Sequence, residues 1–311
     1  MSWKRRGRIF DPADHPAIVV SHAQVPTVLD CGDHLRIYYA DRSRDNKSYM
    51  NFIDVDTADP SSVIFCHSGS LLGPAAPGTF DDDGAMPAYA LPNDGKIWLY
   101  YSGWNRGVTV PYRNSIGLAV SDDGGVTFAR KFDGPIMDRT AEEPYIAVTP
   151  TIVRAGDRWQ MWYISGLRWT TIAGHLEPVY VIKYATSEDG IRWDRPNHQC
   201  IPQRHENEAF SHPTVLRCEG AYHMWFCSRD SNDFRDGGGA YRIGYARSPD
   251  GVTWERDDAF GGLDVAPEGW DATMTAYPYV VRHADRLLMF YNGNGFGRSG
   301  IGYAEWEGTR L

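Results

Sequence analysis

The sequence is poor in cysteine and in basic residues, and it has no long hydrophobic run. Its 311 residues include five cysteines, an odd number without Cys-x-x-Cys spacing, which argues against a disulfide scaffold or a zinc site. Asp and Glu outnumber Lys and Arg by 40 to 31, and the formal charge of −9 argues against a nucleic acid or an anionic membrane as the main partner, because both bind basic surfaces. No stretch approaches the roughly 18 apolar residues of a membrane span, and no apolar signal segment follows the basic N-terminus. We therefore expect a reduced, cytoplasmic protein.

Helical periodicity is also scarce, whereas short strands separated by Gly, Asp and Asn turns are frequent. A β-branched strand entered through a proline occurs five times, with spacings of 61, 63, 63 and 65 residues. The prolines are Pro26, Pro87, Pro150, Pro213 and Pro278. An aromatic-rich strand follows each of them, as in "IYYADR" and "MWYISG". A regular period of this kind is typical of repeat architectures.

Three of the repeats continue with a hairpin phrase: "NSIGLAVSDDGGVTFAR", "YVIKYATSEDGIRWDR" and "YRIGYARSPDGVTWER". An Asp-Gly pair between alternating runs predicts a hairpin, because glycine adopts the positive φ that the turn needs. We expect the three aspartates, Asp123, Asp189 and Asp250, to cap these turns. Five repeats of a four-stranded antiparallel sheet predict one all-β domain over residues 1–311, a five-bladed β-propeller. The fifth repeat lacks an outermost strand, and the N-terminal segment around "GRIF" is placed to supply it and close the ring.

Acidic residues cluster where chemistry is expected in such a fold. In a propeller, a pocket forms at the axis, at the end where the inner strands begin and the second strands finish. Carboxylates just before the inner strands are candidate catalytic residues: Asp81, Glu143, Glu208 and Asp271. Carboxylates that converge on an enclosed pocket suit glycosyl transfer, which needs one ionised and one protonated group. The alternative is that such acids are solvated or bind loop amides.

The same end of the propeller carries candidate ligand-binding residues: His22, Gln24, Arg42, Trp104, Arg168, Trp169, His212, Arg229 and Asn294. Tryptophan beside Arg and Asn suits a carbohydrate, whose ring stacks on aromatics while its hydroxyls need planar donors and acceptors. The arginines would also suit a phosphorylated or acidic ligand. The histidines suit a sugar hydroxyl or a central cation, and packing in the core is the alternative for histidines and tryptophans alike. The glycine run 237–239 follows a strand instead of opening a helix, so it predicts a rim and not a phosphate loop.

Several long strings are similar to one known superfamily. They include "FDDDGAMP", "GPIMDRTAEEPYIAVTP" and "GWDATMTAYPYVV", together with the hairpin phrases. Over its whole length the chain resembles the five-bladed propeller glycosidases, the superfamily of arabinanases, levansucrases and invertases, and more narrowly a branch often found among bacterial polysaccharide genes. The resemblance implies a propeller fold and a glycan as substrate. It does not extend to the hydrolase carboxylates, because the corresponding positions hold Val25, Thr149 and Ser211.

Three functions are compatible with these observations. The first is an enzyme that acts on a glycosidic bond of a bacterial glycan, a hydrolase or transglycosylase, with Asp271 and Glu143 as acid and base and Asp81 orienting them. The second is a sugar-binding propeller without catalysis, which the missing hydrolase carboxylates favour. The third is a glycan phosphorylase, or a biosynthetic transferase on an activated sugar, whose arginines hold phosphate. We expect no cofactor other than a structural cation at the axis.

Overall fold

Twenty β-strands make up nearly all the regular structure in residues 2–235 and 238–308, the part of the chain that the computed structural model describes. In chain order they are β1 (Trp3–Phe10), β2 (Gln24–Asp30), β3 (His34–Arg42), β4 (Ser48–Asp56), β5 (Val63–Cys66), β6 (Ala85–Asn93), β7 (Lys96–Arg106), β8 (Tyr112–Ser121), β9 (Ala129–Arg130), β10 (Ala147–Ala155), β11 (Arg158–Ile172), β12 (His175–Ser187), β13 (Asp194–Gln199), β14 (Glu208–Cys218), β15 (Ala221–Asp230), β16 (Arg242–Ser248), β17 (Glu255–Arg256), β18 (Ala276–His283), β19 (Arg286–Asn292) and β20 (Ile301–Trp306). A 3-10 turn (Pro12–Asp14) and one short helix, α1 (Asp258–Gly261), complete the elements. Gly237, the first glycine of the predicted rim, lies outside the described residues.

The strands form five four-stranded antiparallel sheets, which confirms the predicted five-bladed β-propeller. Strands β2–β5, β6–β9, β10–β13 and β14–β17 make the first four blades, each in chain order. The fifth blade has the order β18, β19, β20, β1, because the N-terminal strand pairs with β20 in antiparallel register from Trp3↔Trp306 to Phe10↔Ile301. The N-terminal segment thus supplies the outermost strand. No helix in the described part of the chain has the length and apolar character needed to cross a membrane.

Each inner strand is irregular at its proline. The ladder to the second strand shifts register there, as between Val148 and Thr151, because proline has no amide hydrogen to donate. In four of the five inner strands the residue before the proline has a positive φ of 47° to 53°; these residues are Val25, Thr149, His212 and Tyr277. A positive φ is unfavourable for side chains of this size, and such strained backbone is concentrated at functional sites. The irregularity lies at the start of the inner strands, where the pocket is expected.

The Asp-Gly hairpins join neighbouring blades. The carboxylate of Asp189 accepts hydrogen bonds from the amides of Ile191 and Arg192 at 2.8 Å, and these bonds hold its pKa below the usual value. Gly190 has the expected positive φ of 72°, and its carbonyl oxygen accepts a hydrogen bond of 2.8 Å from the hydroxyl of Tyr100 in the preceding blade. The same contact recurs from Tyr38 to Gly125 and from Trp162 to Gly251. The aspartates therefore cap turns whose carbonyls tie one blade to the next.

Replacing Tyr100 with phenylalanine is expected to lower the free energy of unfolding by about 1 kcal/mol, because the buried carbonyl of Gly190 loses its donor. Urea unfolding followed by tryptophan fluorescence measures the change. Tyr145→Phe is the matched control, since Tyr145 is half-buried and no hydrogen bond of its hydroxyl is found among the described residues. Equal unfolding midpoints for the wild type and Tyr100→Phe would contradict this role of the hairpins.

Candidate functional site at the propeller axis

A cavity of about 400 Å³ lies at the axis, at the end where the inner strands begin and the second strands finish. All five blades contribute to its lining. The lining includes His22, Gln24, Arg42, Trp104, Tyr112, Asn114, Thr149, Glu177, Tyr180, Arg229, Arg235, Tyr241 and Tyr277. Its position agrees with the one expected from the sequence, and its size is that of a small-molecule site.

One wall of the cavity is built by Arg42 and Trp104. The Arg42 guanidinium lies over the Trp104 ring, 4.5 Å from the centroid, and its Nε donates to Oε1 of Gln24 at 2.8 Å. The Gln24 amide nitrogen in turn donates to the carbonyl of Phe296 at 2.7 Å, which fixes the orientation of the Gln24 side chain. The indole N–H of Trp104 is buried and has no hydrogen-bond partner among the described residues. This donor is therefore unpaired within the described residues, in a side chain that lines the cavity.

The opposite wall contains Arg229 and two tyrosines. The guanidinium of Arg229 lies 3.5 Å from the centroid of the Phe234 ring, and its Nη2 donates to the carbonyl of Pro178 at 3.0 Å. Its Nε donates to the hydroxyl of Tyr180 at 3.3 Å, and the hydroxyls of Tyr180 and Tyr241 are 2.6 Å apart. Nη1 has no hydrogen-bond partner in the described part of the chain.

Glu177 is the one carboxylate in the described lining. Both of its oxygens accept hydrogen bonds from Arg235, at 2.8 and 3.2 Å. The cavity lining consequently offers no pair of carboxylates among the described residues, and its single acid is already bound to a cation.

The two candidate histidines differ in their surroundings. His22 lines the cavity, and burial, with the positive charges of Arg298 and Arg42 nearby, lowers its pKa to about 4. His212 is fully buried, burial lowers its pKa to about 3, and neither ring nitrogen has a hydrogen-bond partner among the described residues. The described residues include no group of three or more His, Cys, Asp or Glu side chains placed to hold a metal ion. The cation at the axis stays a prediction.

The four candidate catalytic carboxylates lie outside the described lining of the axial cavity, in four different blades. Each forms an ion pair with an arginine of the outermost strand of its own blade. The pairs, with their N–O distances, are Asp81–Arg130 (2.7 Å), Glu143–Arg195 (2.9 Å), Glu208–Arg256 (2.8 Å) and Asp271–Arg5 (3.0 Å). In three blades a second-strand tyrosine also donates to the acid: Tyr101, Tyr163 and Tyr291.

These repeated ion pairs are typical of a structural role. In each blade, the pair links the segment at the start of the inner strand to the outermost strand. All four carboxylates are at most 4% exposed. The structure does not bring them together, so their contacts do not support the predicted acid–base pair, and their catalytic role stays a prediction. Glu208 lines a second, smaller cavity between the fourth blade and its rim.

Five of the nine candidate ligand-binding residues line the axial cavity: His22, Gln24, Arg42, Trp104 and Arg229. The others make local contacts instead. Arg168 donates to the carbonyl of Glu206 at 2.7 Å, and Trp169 packs edge-on against the Tyr112 ring at 5.2 Å. The Asn294 side chain, in the loop after β19, accepts a hydrogen bond of 2.8 Å from the amide of Thr273 in the loop before β18, which joins these two loops.

Sequence reasoning missed three lining residues that share one position. Asn114, Tyr180 and Tyr241 are the first residues of the three hairpin phrases, and all three line the cavity. Asn114 and Tyr180 lie in the first half of the third strand of their blades, and Tyr241 lies directly before the third strand. This part of the blade is at the same end as the starts of the inner strands. The shared first position of the three hairpin phrases could therefore have identified these residues as candidates for the cavity lining.

Comparison with known proteins identifies two relatives over the whole length. No protein-family model matches the sequence. It is 36% identical over 310 residues to the "Uncharacterized protein MT1551" of Mycobacterium tuberculosis (strain CDC 1551 / Oshkosh), covering 99% of this chain and 100% of the relative. The "Uncharacterized protein Rv1502" of Mycobacterium tuberculosis (strain ATCC 25618 / H37Rv) matches with the same identity and coverage.

Solved structures share the fold. A protein described as "Glycoside hydrolase" has a TM-score of 0.74 and 18% identity, covering 99% of this chain and 94% of that one. A thermostable family-43 glycoside hydrolase has a TM-score of 0.67 and 16% identity, covering 93% and 89%. The protein therefore belongs to the family of the mycobacterial protein MT1551, and its fold is a five-bladed β-propeller like that of glycoside hydrolases.

Proposed function

We propose that the protein is an enzyme that acts on a glycan, with the carbohydrate bound in the axial cavity. The observation that carries the proposal is the wall that Trp104, Arg42 and Gln24 form in a cavity of about 400 Å³, where the indole N–H has no hydrogen-bond partner among the described residues. Aromatic rings stack on sugar faces, while planar donors and acceptors meet the hydroxyls. The likeness to glycoside hydrolases supports this by analogy of fold.

The cavity lining favours transfer or phosphorolysis over hydrolysis by two carboxyl groups. Glycosidases with such a pair hold the carboxyls about 5 to 9.5 Å apart. Glu177 is alone in the described lining, so it is the candidate for proton transfer, and Arg235 sets its orientation. In phosphorolysis, phosphate is itself the nucleophile, so one acid that protonates the departing sugar hydroxyl is sufficient. In transfer from an activated sugar, the phosphate or nucleotide leaves as an anion and needs less protonation than an alcohol does.

A non-catalytic sugar-binding propeller is the second candidate. The engagement of Asp81, Glu143, Glu208 and Asp271 in buried ion pairs favours it, because those acids are held by arginines. In that function, Glu177 would accept a hydrogen bond from a sugar hydroxyl and take no part in chemistry.

A cytoplasmic location belongs to the proposal as well. All five cysteines are free, which is usual in reducing compartments. An activated sugar, the donor for the proposed transfer reaction, would be available in that compartment.

Trp104→Phe is expected to weaken glycan binding and turnover about tenfold, because it removes the indole donor and reduces the stacking area. The screen combines bacterial oligosaccharides and activated sugars, with and without phosphate, and detects products by mass spectrometry. Trp98→Phe is the matched control, since Trp98 stacks on Trp159 in the core at 5.7 Å and lies outside the described lining. Equal losses of binding and turnover in the two variants would show that the axial cavity is not the site of glycan binding.

Glu177→Gln separates the two candidate functions in the same screen. An enzyme that uses Glu177 loses its product and keeps its ligand. A binding module forms no product in any variant, including the wild type.

A further inference from the structure

Arg229 is a buried cation that has no counter-ion among the described residues. It is 3% exposed, and no carboxylate of the described residues forms an ion pair with it. Other buried arginines are paired: Arg36 binds Asp54 at 2.8 Å, and Arg256 binds Glu208 at 2.8 Å. Burying a charge costs free energy that a partner of opposite sign normally offsets. Because Arg229 lines the axial cavity, a ligand is placed to supply the missing charge.

The donors beside Arg229 also point to an acceptor. Nη1 is free, while Phe234 and the carbonyl of Pro178 hold the plane of the guanidinium. Tyr180 and Tyr241 share one hydrogen bond but have two hydroxyl protons, and Tyr180 accepts a further bond from Arg229. One hydroxyl proton is therefore uncommitted in the tyrosine pair that contacts Arg229. A guanidinium N–H and a phenol O–H together fit two oxygens of one anionic group.

The rest of the cavity is also positive. Arg42 stacks on Trp104 and donates a hydrogen bond to the neutral Gln24, so these contacts do not neutralise its charge. The one acid in the described lining, Glu177, is occupied by Arg235. Burial is the main cause of the low pKa of His22, and the positive charges of Arg298 and Arg42 lower that pKa further.

We propose that Arg229 is an anion-binding residue of the axial cavity and that its ligand is a carbohydrate carrying a negatively charged group, either a phosphate ester or a carboxylate. This rests on the proposed carbohydrate function, whose sugar ring would lie toward Trp104 while the anionic group lies at Arg229. The group binds in the ionised form to the guanidinium of Arg229, with the free tyrosine hydroxyl as a second donor. Arg229 thereby sets specificity for charged over neutral sugars.

The test is isothermal titration calorimetry with matched ligands. Glucose, galactose and mannose are each titrated as the neutral sugar, the 1-phosphate and the uronic acid, together with inorganic phosphate. For wild-type protein, a charged form is expected to bind about tenfold or more tightly than its neutral sugar, because hydrogen bonds to charged groups exceed neutral ones by that margin. Whether the 1-phosphates or the uronic acids bind tells which anionic group the site takes.

Arg229→Gln is expected to reduce this preference to about onefold, whereas Arg168→Gln, the control, keeps it. Arg168 is an arginine of the same end of the propeller that bonds to Glu206 and Asn207 and lies outside the described lining. Should Arg229→Gln fail to fold, the wild-type comparison still decides whether the cavity prefers charged over neutral sugars.

Each outcome separates this inference from the proposed function. Equal binding of neutral and charged sugars by the wild type overturns the anion site and leaves the carbohydrate function standing. Inorganic phosphate that binds as tightly as every sugar phosphate, and is lost in Arg229→Gln, supports the anion site and overturns the carbohydrate. Absence of binding by all probes overturns the inference.

Discussion

A protein that begins at Asp11, without strand β1, is expected not to form a stable propeller. Strand β1 is the outermost strand of the fifth blade, and it buries Trp3 and Phe10 to 7% and 1% exposure. Loss of a buried Trp or Phe side chain costs about 3 to 5 kcal/mol each. The carboxylate of Asp271 would also lose Arg5, and an unpaired buried charge costs about 3 to 5 kcal/mol. Since whole domains are stable by only about 5 to 15 kcal/mol, the truncated protein should unfold.

Circular dichroism and urea unfolding measure the effect of the truncation. A synthetic peptide of residues 2–10 is expected to restore the unfolding transition, because it can pair with β20 in the register of the native strand. Lys4→Ala is the control within the strand, since Lys4 forms only an exposed ion pair with Glu307, of a kind worth about 0 to 1 kcal/mol. A truncated protein that unfolds at the wild-type urea concentration would show that the fifth blade is stable with three strands.

The fold could be predicted because its signals are local and repeated. A proline marks the start of every inner strand, and an Asp-Gly turn joins the outer strands in three blades. Proline cannot donate a hydrogen bond to the ladder, and glycine adopts a positive φ without strain. Each of these residues therefore indicates its place in a strand or turn from local backbone constraints alone.

The ion pairs of the four acids were missed, although the sequence carried a sign of them. Arg130, Arg195 and Arg256 each stand two residues after Phe128, Trp193 and Trp254, the aromatic residues of the hairpin phrases. Arg5 follows Trp3 in the same way, so the N-terminal strand repeats the phrase of an outermost strand. An aromatic-x-Arg motif in the outermost strand, together with an acid before the inner strand of the same blade, predicts one ion pair in each of these four blades.

The contacts of individual side chains in the cavity could not be predicted from the sequence. Arg229 and Arg235 belong to one short segment, yet Arg235 meets Glu177 of the third blade while Arg229 lies against Phe234 and Tyr180. Which of them is left without an acid depends on the loop conformation after β15. Composition places arginines at the cavity, and only the packing shows which one is free.

Exchanging Glu143 for glutamine is expected to lower the free energy of unfolding by about 3 to 5 kcal/mol, because it leaves buried cations uncompensated. Glu143 accepts hydrogen bonds from Ser165 at 2.6 Å and from Tyr163 at 2.9 Å, and it pairs with Arg195 at 2.9 Å and Lys183 at 3.6 Å. Although burial acts to raise its pKa, the bonds from Arg195 and Ser165 hold the pKa of Glu143 below its usual value. The carboxylate is therefore the charged centre of this cluster, and its amide cannot replace it.

Urea unfolding of Glu143→Gln beside Glu142→Gln measures this difference. Glu142 is the exposed neighbour, with no ion pair among the described residues, and its exchange is expected to change the stability by no more than about 0.5 kcal/mol. The same proteins are then tested for glycan turnover at a temperature where both are folded. A stable Glu143→Gln protein that has lost turnover would restore Glu143 as a catalytic acid or base. A destabilised protein whose folded fraction keeps turnover would make Glu143 a structural residue, and the same conclusion would extend to Asp81, Glu208 and Asp271, because their ion pairs are built alike.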